Sequence, residues 1–122
     1  MIRGVRGATT VGQDNPEEIM DKTKILFETI LKKNHILAED IASVFISTTP
    51  DISSAFPAKA LRELNGFSYV PVMCMKEMDV PNSLERCIRM MVHVNTQRGQ
   101  MEIKHVYLEG ATHLRSDMTE TS

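Results

Sequence analysis

A long one-sided helix near the start of the chain constrains the fold most. Its beginning is marked by residues 14–18 (Asp-Asn-Pro-Glu-Glu), which supply a capping side chain, a proline for the first turn and two carboxylates near the positive helix end. Lysines and acidic residues occupy its outer faces. The residues that we expect to be buried recur at spacings of three and four. They are Ile19, Thr23, Leu26, Phe27, Ile30 and Leu31. The pattern predicts a helix that packs one side on a sheet.

Five short segments have the alternating or β-branched pattern of strands. They are Ile2–Thr10, Ile41–Thr48, Tyr69–Met75, Ile88–Asn95 and His105–Glu109. Pro71 predicts an edge position or an irregular start for the third. A short helix is predicted between the second and third, opened by Pro57 and closed by Asn65-Gly66. The order β-α-β-α-β-β-β predicts an α+β (α/β-like) fold, in which a mixed sheet of about five strands packs on one long helix plus short helices. Gly4 and Gly7 in the first strand are expected to let another backbone approach closely.

Length and charge favour one ordinary domain without a nucleic-acid or membrane partner. The chain has 122 residues, with 14 basic and 16 acidic side chains and a net charge of −2. No repeat or linker divides it, so we expect one domain over residues 1–117 and a polar tail over residues 118–122. The balanced charge gives no general attraction to nucleic acid. Residues 1–11 lack a continuous apolar run, so neither a signal peptide nor a membrane span is predicted.

The thiols and imidazoles do not form a recognisable site. Cys74 and Cys87 lack paired C-x-x-C spacing, which argues against a disulfide scaffold or zinc site and favours a reducing cytoplasm. Cys74 lies among apolar strand residues, as expected of a small buried hydrophobe rather than a nucleophile. Metal-ligand spacing is also missing from the four histidines, His35, His93, His105 and His113. We therefore expect no metal and no cofactor.

Arginines at strand positions are the unusual feature. Arg89 alternates with the aliphatic row of its strand and so points to the other face. A guanidinium beside a sheet needs a carboxylate or a bound anion to offset its desolvation. Structural ion pairs with Glu63, Glu77 or Glu109 remain one interpretation, and a pocket for a small anion is the other. The same choice applies to Arg6, Arg62 and Arg115.

Four strings carry a resemblance to a known family. They are RGVRGATTV (residues 3–11), TTPDISSAFPAKALRELNG (48–66), YVPVMCMKEMDVPNSLERCIRM (69–90) and HVYLEGATHLRSD (105–117). Together they resemble the monofunctional chorismate mutases of the homotrimeric pseudo-α/β-barrel class, from Ile2 to the start of the tail. The resemblance implies a homotrimer with active sites at subunit interfaces. It also implies conversion of chorismate to prephenate in phenylalanine and tyrosine biosynthesis, a [3,3] rearrangement that needs electrostatic preorganisation but no covalent or metal catalysis.

The resemblance assigns roles to matching residues. Arg89 corresponds to the catalytic donor to the ether oxygen, and Glu77 to the carboxylate that faces the ring hydroxyl and the charge developing on the ring. Cys74 corresponds to a thiol that contacts the same hydroxyl. Arg6 and Tyr107 match the pair that binds the side-chain carboxylate. Phe56, Ala58, Lys59 and Arg62 match residues that the neighbouring subunit contributes to the pocket wall. Leu114 and Arg115 match a C-terminal segment that closes over the bound ligand.

Three features of the sequence qualify these assignments. Met73 is predicted to line the pocket, although the family has a small polar residue there, and the tail after Asp117 is short. Cys74 and Glu77 are three positions apart, so an ideal strand puts them on opposite faces. Both can reach one pocket only if the strand ends or twists near Lys76.

Two alternative functions remain open from the sequence. A trimeric module that binds or senses a small metabolite without turning it over would have a similar sheet-and-helix architecture. A small hydrolase or deaminase would depend on the Cys74 thiol. Turnover of chorismate separates the first alternative from the mutase, and the activity of a Cys74→Ser variant separates the second.

Overall fold

A mixed five-stranded sheet and one long helix organise the chain. The computed structural model describes residues 1–114. Single 3-10 turns lie at Ala38–Asp40, Gln100–Glu102 and Glu109–His113. In chain order the helices and strands are β1 (Ile2–Thr10), α1 (Pro16–Asn34), β2 (Ile41–Thr48), α2 (Ala58–Arg62), β3 (Val72–Lys76), β4 (Cys87–Asn95) and β5 (Val106–Tyr107). The predicted α+β class and the predicted order of elements are confirmed.

Strand β4 is at the centre of the sheet, whose order is β3-β2-β4-β1-β5. It pairs antiparallel with β1 on one side and with β2 on the other. The two outer pairs, β2 with β3 and β1 with β5, are parallel. Because strand side chains alternate between faces, these registers decide which residues from five separate segments share a surface.

Helix α1 begins where its sequence predicts. Asn15 is the N-cap, because its Oδ1 accepts hydrogen bonds from the backbone N–H of Glu17 at 3.0 Å and of Glu18 at 3.1 Å. His35 ends the helix in the left-handed region, with φ 52°. The buried residues form one stripe, Ile19, Thr23, Leu26, Phe27, Ile30 and Asn34. Neither α1 nor another helix among residues 1–114 is long and apolar enough to cross a membrane.

One face of the sheet, here called the covered face, forms the core together with both helices. Gly7 lets α1 come close, because a Cβ there would lie 2.6 Å from Cδ1 of Ile30 and 3.0 Å from Cδ1 of Leu26. The expected backbone neighbour also exists, since the Val106 carbonyl oxygen is 3.3 Å from the same point. At Gly4 the close neighbours are side chains instead. The buried side chains that the sheet contributes to the core include Val5, Val44, Ile46, Ile88, Met90, Val92 and Val106.

The other face, here called the open face, has no helix of residues 1–114 on it. The turn Glu109–His113 reaches its end, where Ala111 forms a small buried cluster with Ala8 and Cys87. The remaining surface mixes polar and apolar side chains. Its members alternate with the core residues on the same strands and include Arg6, Phe45, Ser47, Met75, Arg89, Met91 and Tyr107.

Two strands are shorter than predicted. Strand β3 begins at Val72 rather than Tyr69, because Pro71 has no N–H to donate and only its carbonyl pairs, accepting from the Val44 amide at 2.9 Å. Strand β5 spans Val106–Tyr107 rather than 105–109. Its far end is broken by Glu109, whose φ of 52° takes the chain out of the extended conformation.

Candidate active site

Strand pairing places one residue from each strand in a row across the open face. Met75 of β3 lies opposite Ser47 of β2, and Ser47 lies opposite Arg89 of β4. Arg89 in turn lies opposite Ala8 of β1, and Ala8 lies opposite Tyr107 of β5. Adjacent strands are about 4.8 Å apart. Side chains that are far apart in sequence therefore share one small surface.

A cavity of about 370 Å³ opens over this row. Arg6 is two residues before Ala8 on β1, so its side chain reaches the same face. The lining includes four residues that the sequence predicts for the site, Arg6, Arg89, Tyr107 and Leu114. We call this space the Arg89 cavity. The lining also includes Phe45, Ser47, Met75 and Met91.

Glu77 holds one edge of the Arg89 guanidinium. Its Oε1 is 3.6 Å from Nε of Arg89, and the same oxygen accepts a short hydrogen bond from the Ser47 hydroxyl. Glu77 follows β3 directly, and its backbone N–H donates to the Thr48 carbonyl at 2.8 Å. The Arg89 side chain is still 46% exposed. The ion pair expected on structural grounds is thus present, and it orients a guanidinium that remains accessible to a ligand.

Arg6 brings a second positive charge to the cavity. Among residues 1–114, its guanidinium has no carboxylate within ion-pair distance. The side chain is half-buried rather than free in solvent. Two arginines against the single carboxylate of Glu77 make the cavity and its edge net positive, which favours an anionic ligand.

Cys87 lies beneath this site and is fully buried. Burial raises the pKa of its thiol, and the positive charge of Arg89 offsets part of that rise. A protonated, enclosed thiol is a packing group rather than a nucleophile. Within the described part of the chain, no three His, Cys, Asp or Glu side chains are grouped so as to hold a metal ion.

The other predicted residues do not reach the Arg89 cavity within one chain. Phe56 and Cys74 line a second space of about 440 Å³, here called the Phe56 cavity, together with residues of the 52–57 loop. Met75 borders both cavities. Helix α2 begins beside it. Ala58 is buried there, whereas Lys59 and Arg62 are exposed. The Phe56 ring is 75% exposed, which is unusual for an aromatic side chain without a further contact.

Residues of β3 divide between the two faces as the strand period requires. Met73 lies opposite Phe45 on the open face and is 59% exposed. Cys74 is half-buried against the core. Strand β3 ends at Lys76, and Glu77 then turns to Ser47 and Arg89. The strand end therefore does not bring Cys74 and Glu77 into one cavity of a single chain. Arg115 lies outside the described residues.

Asp14 fastens the loop that leads into α2. Its carboxylate accepts hydrogen bonds from the backbone N–H of Ser53 and of Ser54, each at 3.1 Å, and from both hydroxyls. These bonds, led by the one from the Ser54 hydroxyl, lower the pKa of Asp14. The loop that carries Phe56 is thereby tied to the start of α1, although both segments are exposed.

Sequence reasoning missed Ser47 and Phe45. Ser47 donates to Glu77, and Phe45 lines the Arg89 cavity. The signal was present in the alternation of residues 41–48, where Ser43, Phe45 and Ser47 occupy one face and aliphatic residues the other. The prediction for that stretch was a strand only, and no residue of it was proposed for the site.

Comparisons with known proteins identify the family of this chain. The family model described as chorismate mutase type I matches residues 2–118. Chorismate mutase AroH of Bacillus subtilis is 54% identical over 121 residues, which cover 99% of this chain and 95% of the relative. Chorismate mutase AroH of Thermus thermophilus is 43% identical over 119 residues, which cover 97% of each.

A solved structure extends the similarity to the fold. A chorismate mutase from Clostridium thermocellum superimposes with a TM-score of 0.87 at 45% identity, covering 90% of this chain and 97% of that one. The family model, the identity to the two relatives and the shared fold together show that the chain belongs to the type I chorismate mutases.

Proposed function

We propose that this chain converts chorismate to prephenate in the Arg89 cavity, as a step of aromatic amino-acid biosynthesis. Arg89 and Glu77 are the catalytic residues, and Arg6 and Tyr107 bind substrate. One observation carries the proposal. Arg6, Arg89 and Tyr107, which come from three different strands, line one cavity, and Glu77 orients Arg89 from its edge.

The reaction requires charge stabilisation rather than bond formation with the enzyme. In the [3,3] rearrangement the ether C–O bond breaks while a new C–C bond forms in the same molecule, so no atom is gained or lost. When C–O cleavage runs ahead, negative charge grows on the ether oxygen and positive charge on the ring. Arg89 supplies fixed donors for the oxygen, and the Glu77 carboxylate faces the ring. Because Glu77 engages Nε, the terminal nitrogens of Arg89 are left for substrate.

Arg6 and Tyr107 hold the substrate side chain in the folded-over geometry. They lie on adjacent parallel strands, β1 and β5, on the far side of the row from Glu77. A guanidinium and a phenol hydroxyl both donate to a carboxylate. Fixing that carboxylate at one end and the ring hydroxyl at the other removes the rotational freedom that slows the uncatalysed reaction.

The complete site is shared between copies of the chain in a homotrimer. The Phe56 cavity and the Arg89 cavity are separate within one chain, and the open face leaves Met73 and Met75 exposed. An exposed sheet face of this kind favours a second copy as its cover. The neighbour then brings the wall that completes the pocket, with Phe56, Ala58, Lys59 and Arg62. Met73 and Cys74 also line the completed pocket. Leu114, the last described residue, lines the Arg89 cavity of its own chain.

A reducing cytoplasm suits the two cysteines. Cys74 and Cys87 are both free thiols, one half-buried and one buried. Neither is needed for the proposed chemistry as a nucleophile. We expect Cys74→Ser to keep most of the activity, which separates the mutase from a thiol-dependent hydrolase.

The first test measures turnover. Purified protein with chorismate and a chelator should produce prephenate. If chorismate disappears no faster than in the uncatalysed reaction, the proposed activity is excluded. That result is also the one expected of a protein that only binds the metabolite.

The second test asks whether the site is shared. Arg62→Ala and Arg89→Ala chains, each of low activity alone, are co-expressed in equal amounts. If each pocket takes Arg62 from one chain and Arg89 from another, random mixing restores about a quarter of the pockets. The matched control mixes Arg6→Ala with Arg89→Ala, which share a half-site, and should restore none. Equal recovery in both mixtures, or light scattering that shows an active monomer, contradicts the shared site.

A further inference from the structure

The edge of β1 that carries Arg6 is only partly covered by β5. Strand β5 has two residues, and it pairs only with Gly7 and Ala8. On that edge the backbone N–H of Arg6 is therefore left without a strand residue opposite it. It donates instead to Nδ1 of the His105 side chain, at 2.9 Å. The imidazole takes the place of a further residue of β5.

This hydrogen bond fixes the form of the imidazole. A backbone amide can only donate, so Nδ1 of His105 must carry a lone pair. A neutral ring with its proton on Nε2 satisfies that requirement, whereas a ring protonated at Nδ1 does not. His105 is buried, with 9% of its surface exposed. In such a place an amide that loses its acceptor is not readily satisfied by water.

His105 is itself anchored to the end of α1. Asn34, the last residue of that helix, is 4% exposed. Its Oδ1 accepts from the backbone N–H of Lys104 at 2.8 Å, and its Nδ2 donates to the Lys104 carbonyl at 2.9 Å. Both backbone groups of the residue before His105 are thus held by one side chain. Asn34 of α1 thus fixes the backbone just before His105, and the His105 ring in turn holds the Arg6 amide of β1.

We propose that His105 is a positioning residue for Arg6. By holding the Arg6 amide, the imidazole sets the orientation of the backbone from which the guanidinium extends into the Arg89 cavity. Binding constellations need placement within about 0.5 Å. A small rotation of the Arg6 peptide moves the end of so long a side chain by more than that. The inference rests on the carboxylate-binding role of Arg6 proposed above.

The experiment compares variants that differ only in the acceptor. Asparagine places Oδ1 where Nδ1 of the ring lies, whereas leucine has a similar size but no acceptor. We expect His105→Leu to raise KM about 10-fold with a smaller change in kcat, because ground-state and transition-state binding are lost together. His105→Asn should restore most of the lost affinity. The control is His35→Asn, at the exposed end of α1, which should behave as wild type.

An Arg6→Ala background shows whether His105 acts through Arg6. There, His105→Leu should have no further effect on KM, since the group that it positions is gone. A loss in His105→Leu that is equally large in both backgrounds overturns the inference. So does wild-type KM in His105→Leu when Arg6→Ala alone is defective. No defect in Arg6→Ala would instead remove the role of Arg6 in the proposed function.

A spectroscopic measurement keeps the inference testable if His105→Leu does not fold. Nitrogen NMR of the wild-type imidazoles at neutral pH should show His105 with an unprotonated Nδ1 and a proton on Nε2. A proton on Nδ1 overturns the inference without any variant.

Discussion

Ile88 and Arg89 are neighbours on β4, yet their side chains lie on opposite faces of the sheet. Ile88 is fully buried on the covered face, whereas the Arg89 side chain on the open face is 46% exposed. The covered face is almost entirely aliphatic and is closed by α1 and α2. The open face has charged and hydroxyl groups, which are held by one another rather than by packing.

We expect this contrast to separate stability from the proposed catalysis. Side chains on the covered face contribute through burial, which depends on volume and is not specific to a reaction. Apart from the small buried cluster of Ala8, Cys87 and Ala111, those on the open face are expected to contribute through orientation and charge. A substitution on one face should therefore change mainly one measurable property. Three predictions test this division, from the largest expected effect to the smallest.

Arg89→Ala should reduce kcat about 10²- to 10³-fold, the range for removing one donor that stabilises transition-state charge. Because the side chain is half exposed, its free energy of unfolding should change by less than about 1 kcal/mol. Replacement of Arg89 by neutral citrulline should keep the shape and still lose much of the rate. Chorismate turnover and urea unfolding measure the two effects. Wild-type kcat in the citrulline variant would disprove an electrostatic role.

Gly7→Ala should lower the free energy of unfolding by about 1–3 kcal/mol, the usual range for overpacking. The added methyl would meet Ile30 and Leu26 of α1 at 3.0 Å or less, so the helix must shift. Gly99→Ala is the matched control, because its Cβ would have only Glu102 nearby, at 3.5 Å, and its φ is −78°. If urea unfolding gives the same midpoint for both variants, α1 is not closely packed over β1.

Asp14→Asn should have the smallest effect, because Asp14 is fully exposed and serves the loop before α2 rather than either face. The folded protein lowers the pKa of this carboxyl from its ordinary value of 3.8. Its contribution to stability is therefore complete above about pH 4 and lost as the pH falls through the lowered pKa. The wild type should have the higher Tm at pH 7, and the two should converge in acid. A difference in Tm that does not depend on pH would show that the carboxylate charge is not involved.

Local patterns were enough for the elements with strong signals. Asn15, Pro16 and the buried stripe of α1 act within a few residues of one another, so their consequences could be predicted from the sequence. The outward direction of Arg89 followed from alternation alone. The ends of β3 and β5 were placed less well. Proline at position 71 and the positive φ of Glu109 affect pairing with strands that are remote in sequence.

The candidate site depended more on tertiary structure. Family resemblance supplied Arg6, Glu77, Arg89 and Tyr107 by matching strings, and the sheet register placed them around one cavity. No local pattern pointed to the Ser47 hydroxyl on Glu77, because residues 47 and 77 meet only through the pairing of β2 with β3. The same is true of His105 and Arg6, 99 positions apart.

The sequence by itself determined the long helix, the order of the elements along the chain, the outward direction of Arg89 and the family. These follow from capping, from periods of 3.6 and 2 residues, and from matching strings, all of which are properties of short segments. Tertiary structure alone decided which charges meet, which amide lacks a strand partner, and that two groups of predicted site residues lie in separate cavities. The reason is that register and strand order are set by long-range pairing and by the closure of the core, in which every segment takes part.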